Sequence, residues 1–331
     1  MSLDKSFDSE TEEVINILRP TNFDEFIGQE NVKLNLKTAV SASKIRSQPV
    51  DHVLLYGPPG LGKTSLAKIV ARELGVKLTS TTGPALEKPF DLAAILNSLE
   101  QNEILFIDEI HRTPKPVEEI LYSAMEDFRL HIVTGQGLFA KTIELNLKPF
   151  TLIGATTRTG LLSSPLRDRF GIILRLDYYS DADLCQIILQ SAKKLEIEIE
   201  DSAAHILASR SRGTPRIANR LLKRASDLAL VTGVSLITEK IANDVCSMLQ
   251  IDENGLDWLD RKVLETLFYN FRGGPAGLSS ISASTGEPED SLEDVVEPFL
   301  LQKGLIIRTK KGRCLTEKGK NLVTRSKTLF S

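Results

Sequence analysis

An open α/β sheet domain, then an all-helical segment, then a small domain of helices and a hairpin: three observations predict this architecture. Apolar runs at Val53-Leu54-Leu55-Tyr56, Ile104-Leu105-Phe106-Ile107 and Phe150-Thr151-Leu152-Ile153-Gly154-Ala155 have the length and lack of alternation of strands buried on both faces. From Asp181 to about Ile251 the apolar residues recur only at helical spacing. Beyond that, three helical patterns are followed by a basic hairpin pattern.

The 331 residues exceed what one hydrophobic core usually holds, because cores rarely grow past about 250 to 300 residues. Two or three domains are expected. A composition of 41% hydrophobic and 26% charged residues is that of a globular chain. No apolar run approaches the roughly 20 residues that span a bilayer, and the acidic, polar start is unlike a signal peptide, so a cytosolic location is expected. Cys185, Cys246 and Cys314 are scattered singly, which supports neither a disulfide framework nor a zinc site. The net charge of -3 conceals an asymmetry: Leu301 to Ser331 carry nine basic residues and one acid, Glu317. A basic end on an acidic body points to a localised contact with a polyanion.

Taken in order, the acidic, serine-rich residues up to about Asn16 have little to bury and are expected to be disordered. Leu18-Arg19-Pro20 through Gly28-Gln29 reads as a loop leading into a helix from Glu30 to Ser43. Gly57-Pro58-Pro59-Gly60-Leu61-Gly62-Lys63-Thr64 then lies between a strand and a helix, Ser65 to Leu74, that Gly75 ends. It fits G-x-x-x-x-G-K-[ST], in which backbone N–H groups curl around phosphate oxygens because glycine leaves no side chain in the way. The helix dipole and Lys63 supply positive charge, and the Thr64 hydroxyl completes a Mg²⁺ shell.

The strand at Ile104 ends in Asp108-Glu109, at the edge where open α/β sheets hold their ligands. Asp108 can hold Mg²⁺ directly or through water, and Glu109 can polarise the water that attacks a γ-phosphate. Leu130 to Val133 and Lys141 to Leu147 read as a hairpin whose tip, Leu138-Phe139, is apolar; it either meets a protein partner or folds back on its own domain. The strand at Phe150 ends in hydroxyls, Thr156-Thr157, able to reach a phosphate or the attacking water. Arg167 and Arg169 follow; they are either a surface pair or a guanidinium aimed at transferring phosphate.

The helical segment reads as Asp183 to Lys194, Ser202 to Ser211, Pro215 to Leu230 and Thr238 to Leu249. Thr214-Pro215 forms a cap and first turn, placing Arg216 at a helix start, where a cation opposes the dipole unless an anion is near. Asp252 to Gly255 reads as a linker. Helices at Trp258 to Asn270, Leu278 to Ser284 and Asp290 to Lys303 precede a hairpin with Arg308 and Arg313 on its two arms. Three helices and a basic hairpin describe a winged helix, whose basic face either reaches DNA phosphates or is simply solvated.

With these pieces in place the sequence resembles the AAA+ ATPases, and among them the motors that drive branch migration of Holliday junctions in recombination and repair. The resemblance rests on the glycine loop, Asp108-Glu109-Ile110-His111-Arg112, Gly154-Ala155-Thr156-Thr157-Arg158, Pro165-Leu166-Arg167-Asp168-Arg169-Phe170-Gly171, Gly213-Thr214-Pro215-Arg216 and Gly273-Gly274-Pro275. It implies a large ATPase domain over residues 1–180, a helical lid over 181–252 and a winged-helix head over 253–331. It implies ATP and Mg²⁺ held by Gly60, Gly62, Lys63, Thr64 and Ser65, with Leu18, Arg19, Tyr179, Glu126, Asp127 and Phe128 lining the nucleotide site. Thr157 would be the first sensor, Arg216 the second, and Arg169 an arginine finger for the neighbouring subunit of a homohexamer. The Leu130 to Leu147 hairpin would dock a RuvA-like junction-binding protein, a RuvC-like resolvase would join the complex, and Arg308 and Arg313 would touch DNA. The competing expectations are a clamp loader or initiator that uses ATP as an assembly switch, and a DNA-binding regulator whose nucleotide site controls oligomer state.

Overall fold

The structure is a computed structural model and describes residues 17–134 and 141–328. The acidic N-terminal stretch and the hairpin tip at Leu138-Phe139 lie outside the described residues. The chain forms two compact units, one ending at Tyr179 and one beginning at Ser180. No described helix is long and apolar enough to cross a membrane.

The first unit is built on five parallel strands: β1 (Val53–Tyr56), β2 (Leu78–Thr82), β3 (Ile104–Asp108), β6 (Thr151–Thr156) and β7 (Ile172–Arg175), in the order β2-β3-β6-β1-β7. The central strands are mostly apolar because helices cover both faces, and all six residues of β6, its two end threonines included, are buried. The helices are α1 (Glu30–Arg46), α2 (Lys63–Leu74), α3 (Pro89–Asn97) and α4 (Lys115–Asp127), with one short turn, α5 (Ser164–Arg167). Leu92, Leu96, Val117, Leu121 and Phe150 meet in the core between α3, α4 and the sheet. The predicted hairpin is present as antiparallel β4 (Arg129–Thr134) and β5 (Lys141–Asn146).

The second unit begins with four helices, α6 (Asp181–Lys194), α7 (Asp201–Ser209), α8 (Pro215–Val231) and α9 (Glu239–Met248). A short parallel ladder, β8 (Glu198–Ile199) with β9 (Leu236–Ile237), joins their loops. Next come α10 (Trp258–Tyr269), α11 (Leu278–Thr285), a composite helix α12 from Glu289 to Gln302, the hairpin β10 (Ile306–Thr309) and β11 (Gly312–Leu315), and α13 (Glu317–Thr328). This is the expected winged helix with one helix more than the sequence reading assigned. Its core gathers Val263, Leu267, Ile281, Phe299, Leu300 and Leu315.

One helix reading is corrected. The single helix read from Asp290 to Lys303 contains a π turn, Leu292–Val296, just before Pro298. Proline has no N–H to donate and its ring crowds the carbonyl four residues back, so the wider turn accommodates it. The stretch read as a linker, Asp252 to Gly255, is a tight turn: Asp252 Oδ1 accepts the N–H groups of Asn254 (2.9 Å) and Leu256 (2.8 Å), and Leu256 is buried.

Candidate active site

Because β1, β3 and β6 run parallel and in register, the segments after them emerge at one edge of the sheet. The glycine loop follows β1. A Cβ at Gly57 (φ 142°) would lie 2.3 Å from Leu176 O, and one at Gly62 (φ 102°) 2.9 Å from the Phe26 ring, so the close packing of the loop demands glycine at both. Lys63 opens α2 with only 8% of its surface exposed, and its ammonium donates to Gly57 O (2.7 Å) and Pro58 O (2.8 Å). The charge is thereby held over the loop where phosphate oxygens would enter.

Asp108, last in β3, accepts the N–H of Glu109 on Oδ1 (2.9 Å) and the Thr64 hydroxyl on Oδ2 (3.5 Å). A hydroxyl and a carboxylate converging beside a phosphate loop suit Mg²⁺, which takes few protein ligands and completes its octahedron with phosphate and water. Glu109 leaves the strand in a left-handed turn (φ 48°), and its carboxylate accepts Arg112 Nη1 at 3.0 Å. Gly83 lets that turn pass: a Cβ there would be 2.4 Å from Glu109 O. At the end of β6 the buried Thr156 hydroxyl pairs with His111 Nδ1 (2.9 Å) and accepts the Arg158 N–H (3.0 Å), which leaves the half-buried Thr157 as the next hydroxyl along.

Tyr179 is buried beside this edge, its hydroxyl donating to Leu61 O in the loop (3.1 Å), and Leu18 is also buried. Gln29 accepts the Asp177 N–H (3.2 Å), tying the segment before α1 to the chain leaving β7. Burial, with the charge of Arg19 second, pushes the Lys68 ammonium below its usual range.

Arg169 is elsewhere. The Ile172 N–H donates to His52 O (3.1 Å), which sets the residues before β7 at the amino edge of the sheet, with the residue that precedes β1. Arg169 donates to Pro165 O (2.7 Å), pairs with Glu126 (3.1 Å) and lies over the Tyr122 ring at 4.6 Å. Glu126, Asp127 and Phe128 end α4 and begin the chain beyond it at that same edge, and the Phe128 ring packs edge-on against Phe150 at 5.8 Å. Four strand residues, at ~3.3 Å each, put roughly 13 Å between the two edges. The structure therefore brings Lys63, Thr64, Asp108, Glu109 and Thr157 together, and gathers Arg169 with Glu126 to Phe128 apart from them. Sequence spacing carried no sign of this separation, which depends on strand order. Arg216 is exposed in the first turn of α8, in the second unit.

Arg308 and Arg313 face one another across the β10–β11 hairpin. Both reach one carboxylate that sequence reasoning missed. Glu297 Oε1 accepts Arg308 Nε (2.7 Å) and Arg313 Nε (3.2 Å), while Oε2 accepts Arg313 Nη2 (2.8 Å). Burial would raise the Glu297 carboxyl, but the arginine hydrogen bonds outweigh it and hold the group below its usual range. Nothing in the sequence marked this glutamate, since an acid in a helical pattern ordinarily faces water.

A phosphate loop and acidic pair at one edge of a parallel sheet, a helical lid and a winged helix define a P-loop AAA+ ATPase with a DNA-binding type of head. Three family models match in sequence: the RuvB P-loop domain over residues 18–176, the RuvB AAA lid over 179–252 and the RuvB C-terminal winged helix over 253–324. The chain belongs to the RuvB family. It is 55% identical over 307 residues to the Holliday junction branch migration complex subunit RuvB of Kosmotoga olearia, covering 93% of this chain and 90% of that one. The solved structure of the Thermotoga maritima RuvB branch migration motor is also similar, with a TM-score of 0.86 and 52% identity over 93% of this chain and 98% of that one.

Proposed function

We propose that the chain is the ATP-driven motor subunit of a Holliday-junction branch-migration complex, a cytoplasmic enzyme that works as a homohexameric ring with a RuvA-like protein docked on the β4–β5 hairpin and a RuvC-like resolvase acting on the same junction. The observation that carries the ring is the placement of Lys63 and Arg169 at opposite edges of one sheet. A finger at the far edge cannot serve its own loop, so it completes the site of a neighbour.

Gly60, Gly62, Ser65 and the other N–H groups of the loop would hold the phosphates with Lys63, while Leu18, Arg19 and Tyr179 would hold the rest of the nucleotide. Mg²⁺ bound by Thr64 and Asp108 would neutralise charge on the β- and γ-phosphates. Glu109, turning from Arg112, orients the attacking water, and Thr157 and Arg216 sense the γ-phosphate. Arg169, with Glu126 to Phe128 beside it, meets the ATP of the next subunit, where such a finger contributes ~10³- to 10⁵-fold in rate. Loss of phosphate releases the group that these residues share, the lid over 181–252 shifts against the domain over 1–180, and the head over 253–331 carries DNA with it through Arg308 and Arg313. Phosphate contacts suit a motor because they hold every sequence about equally.

The test is ATP- and Mg²⁺-dependent dissociation of a synthetic four-way junction with the RuvA-like partner present. Whole arms should leave as duplexes, and Lys63→Ala should abolish their release. ATP consumed with the junction intact would instead favour the loader or switch class.

A further inference from the structure

The turn between α7 and α8 holds a guanidinium whose partners all lie beyond residue 252. Arg212, 10% exposed, donates through Nη1 to Asp257 Oδ2 (2.9 Å) and through Nη2 to Asp260 Oδ1 (2.9 Å) and Val295 O (3.2 Å), with its plane 4.3 Å from the Phe299 ring centre. Asp257 and Asp260 together close the capping box that starts α10. Val295 and Phe299 belong to α12, which also carries Glu297 beneath Arg308 and Arg313. One side chain of the lid therefore grips both the first helix of the winged helix and the helix that seats its hairpin.

The other end of the same turn is Arg216. Arg212 (φ 54°) and Gly213 (φ 70°) both take left-handed backbone, the Thr214 hydroxyl donates to Ser211 O (3.3 Å), and Pro215-Arg216 opens α8. Next to this grip the turn at Asp252 is closed by its own hydrogen bonds, and Arg261 of α10 donates to Gln250 O (2.9 Å) and Leu256 O (3.0 Å). The passage from lid to head is thus braced at two places.

We propose that Arg212 is the positioning residue that transmits nucleotide-driven movement of the lid to the DNA-binding head. The inference rests on the motor reading above and deepens it. An apolar contact would join the two parts as well as an ion pair does, since a buried pair recovers little beyond its own desolvation. What the planar fork adds is a fixed angle, because two carboxylates, a carbonyl and a ring must all be met at once. The donors of Arg212 are spent on Asp257, Asp260 and Val295 of the head itself, so its removal should separate hydrolysis from work.

The experiment uses the full chain, a RuvA-like partner and a four-way junction, and measures ATP hydrolysed, junctions dissociated and duplex affinity. Arg212→Lys keeps a cation beside Asp260 but loses the fork, and Arg212→Met with Asp260→Asn removes both charges, so at least one folded variant is expected. Hydrolysis should stay within about twofold of wild type with duplex affinity unchanged, while junctions dissociated per ATP fall about fivefold or more, least in the lysine variant. An unchanged yield per ATP in folded variants would overturn the proposal. So would hydrolysis and dissociation falling in proportion, which marks a merely structural contact. Wild type hydrolysing ATP without dissociating junctions would overturn the motor reading itself, and shows before any variant is compared.

Discussion

His52 shows how much of the site's rigidity is set by a residue that takes no part in chemistry. Its Nδ1 accepts the Leu152 N–H (2.9 Å), which leaves Nε2–H to donate to Met125 O (3.1 Å), and its ring packs against Phe150 and Phe128. One histidine thus joins β1, β6 and the end of α4, next to the finger. Only the neutral ring can accept from Leu152, and burial pushes its pKa below the ordinary 6.5. Below that pH the unfolded chain binds a proton that the native chain refuses, so this contribution is fully present above about 6.5 and is lost as pH falls. Thermal melts from pH 7 to pH 5 should show a steeper loss of stability in wild type than in His52→Asn, whose side-chain oxygen can still accept from Leu152. The variant should be less stable at pH 7 by about 1 to 3 kcal/mol for the bond it cannot make. Parallel pH profiles would contradict this role.

The wing hairpin carries its function as a pair of strands, since the register sets Arg308 opposite Arg313 over one buried acid. Arg308→Ala should lower the slope of log affinity against log salt by about 0.9 on any duplex sequence and leave the melting temperature nearly unchanged. Arg313→Ala should lower the slope similarly but also lower the melting temperature, because Glu297, 5% exposed, then loses its buried partner. Salt titrations and melts of both variants check this, and an unchanged slope in Arg308→Ala would count against the hairpin as a DNA contact. At this scale the sequence was legible where an element had a strong period or a long apolar run, as in α8 and β3. It was silent on β7, an edge strand of four residues only partly covered, and on α4 and α13. Long charged side chains crowd α13 and dilute its apolar stripe. The π turn at Pro298 and the closed turn at Asp252 depend on local hydrogen bonding that periodicity does not encode.

In the whole molecule, the half of the candidate site that was legible in the sequence is the half built from contiguous motifs. Lys63, Thr64, Asp108 and Glu109 each end or follow an apolar strand, and parallel strands deliver their ends to one edge. The other half needed topology. That Arg169 and Glu126 to Phe128 share the opposite edge follows from β7 lying beside β1 and from α4 ending near His52; neither is written in spacing. Arg212 and Glu297 were missed for the same reason, because their partners are distant in sequence or lie across a hairpin. If two subunits together build each ATP site, one mixture of variants tests it. Arg169→Ala subunits retain a pocket without a finger, and Lys63→Ala subunits retain a finger without a working pocket. Mixed in equal amounts under conditions that form verified mixed rings, they should recover ATPase activity that neither shows alone. Rings that contain both variants and stay inactive would contradict a finger supplied across the subunit boundary.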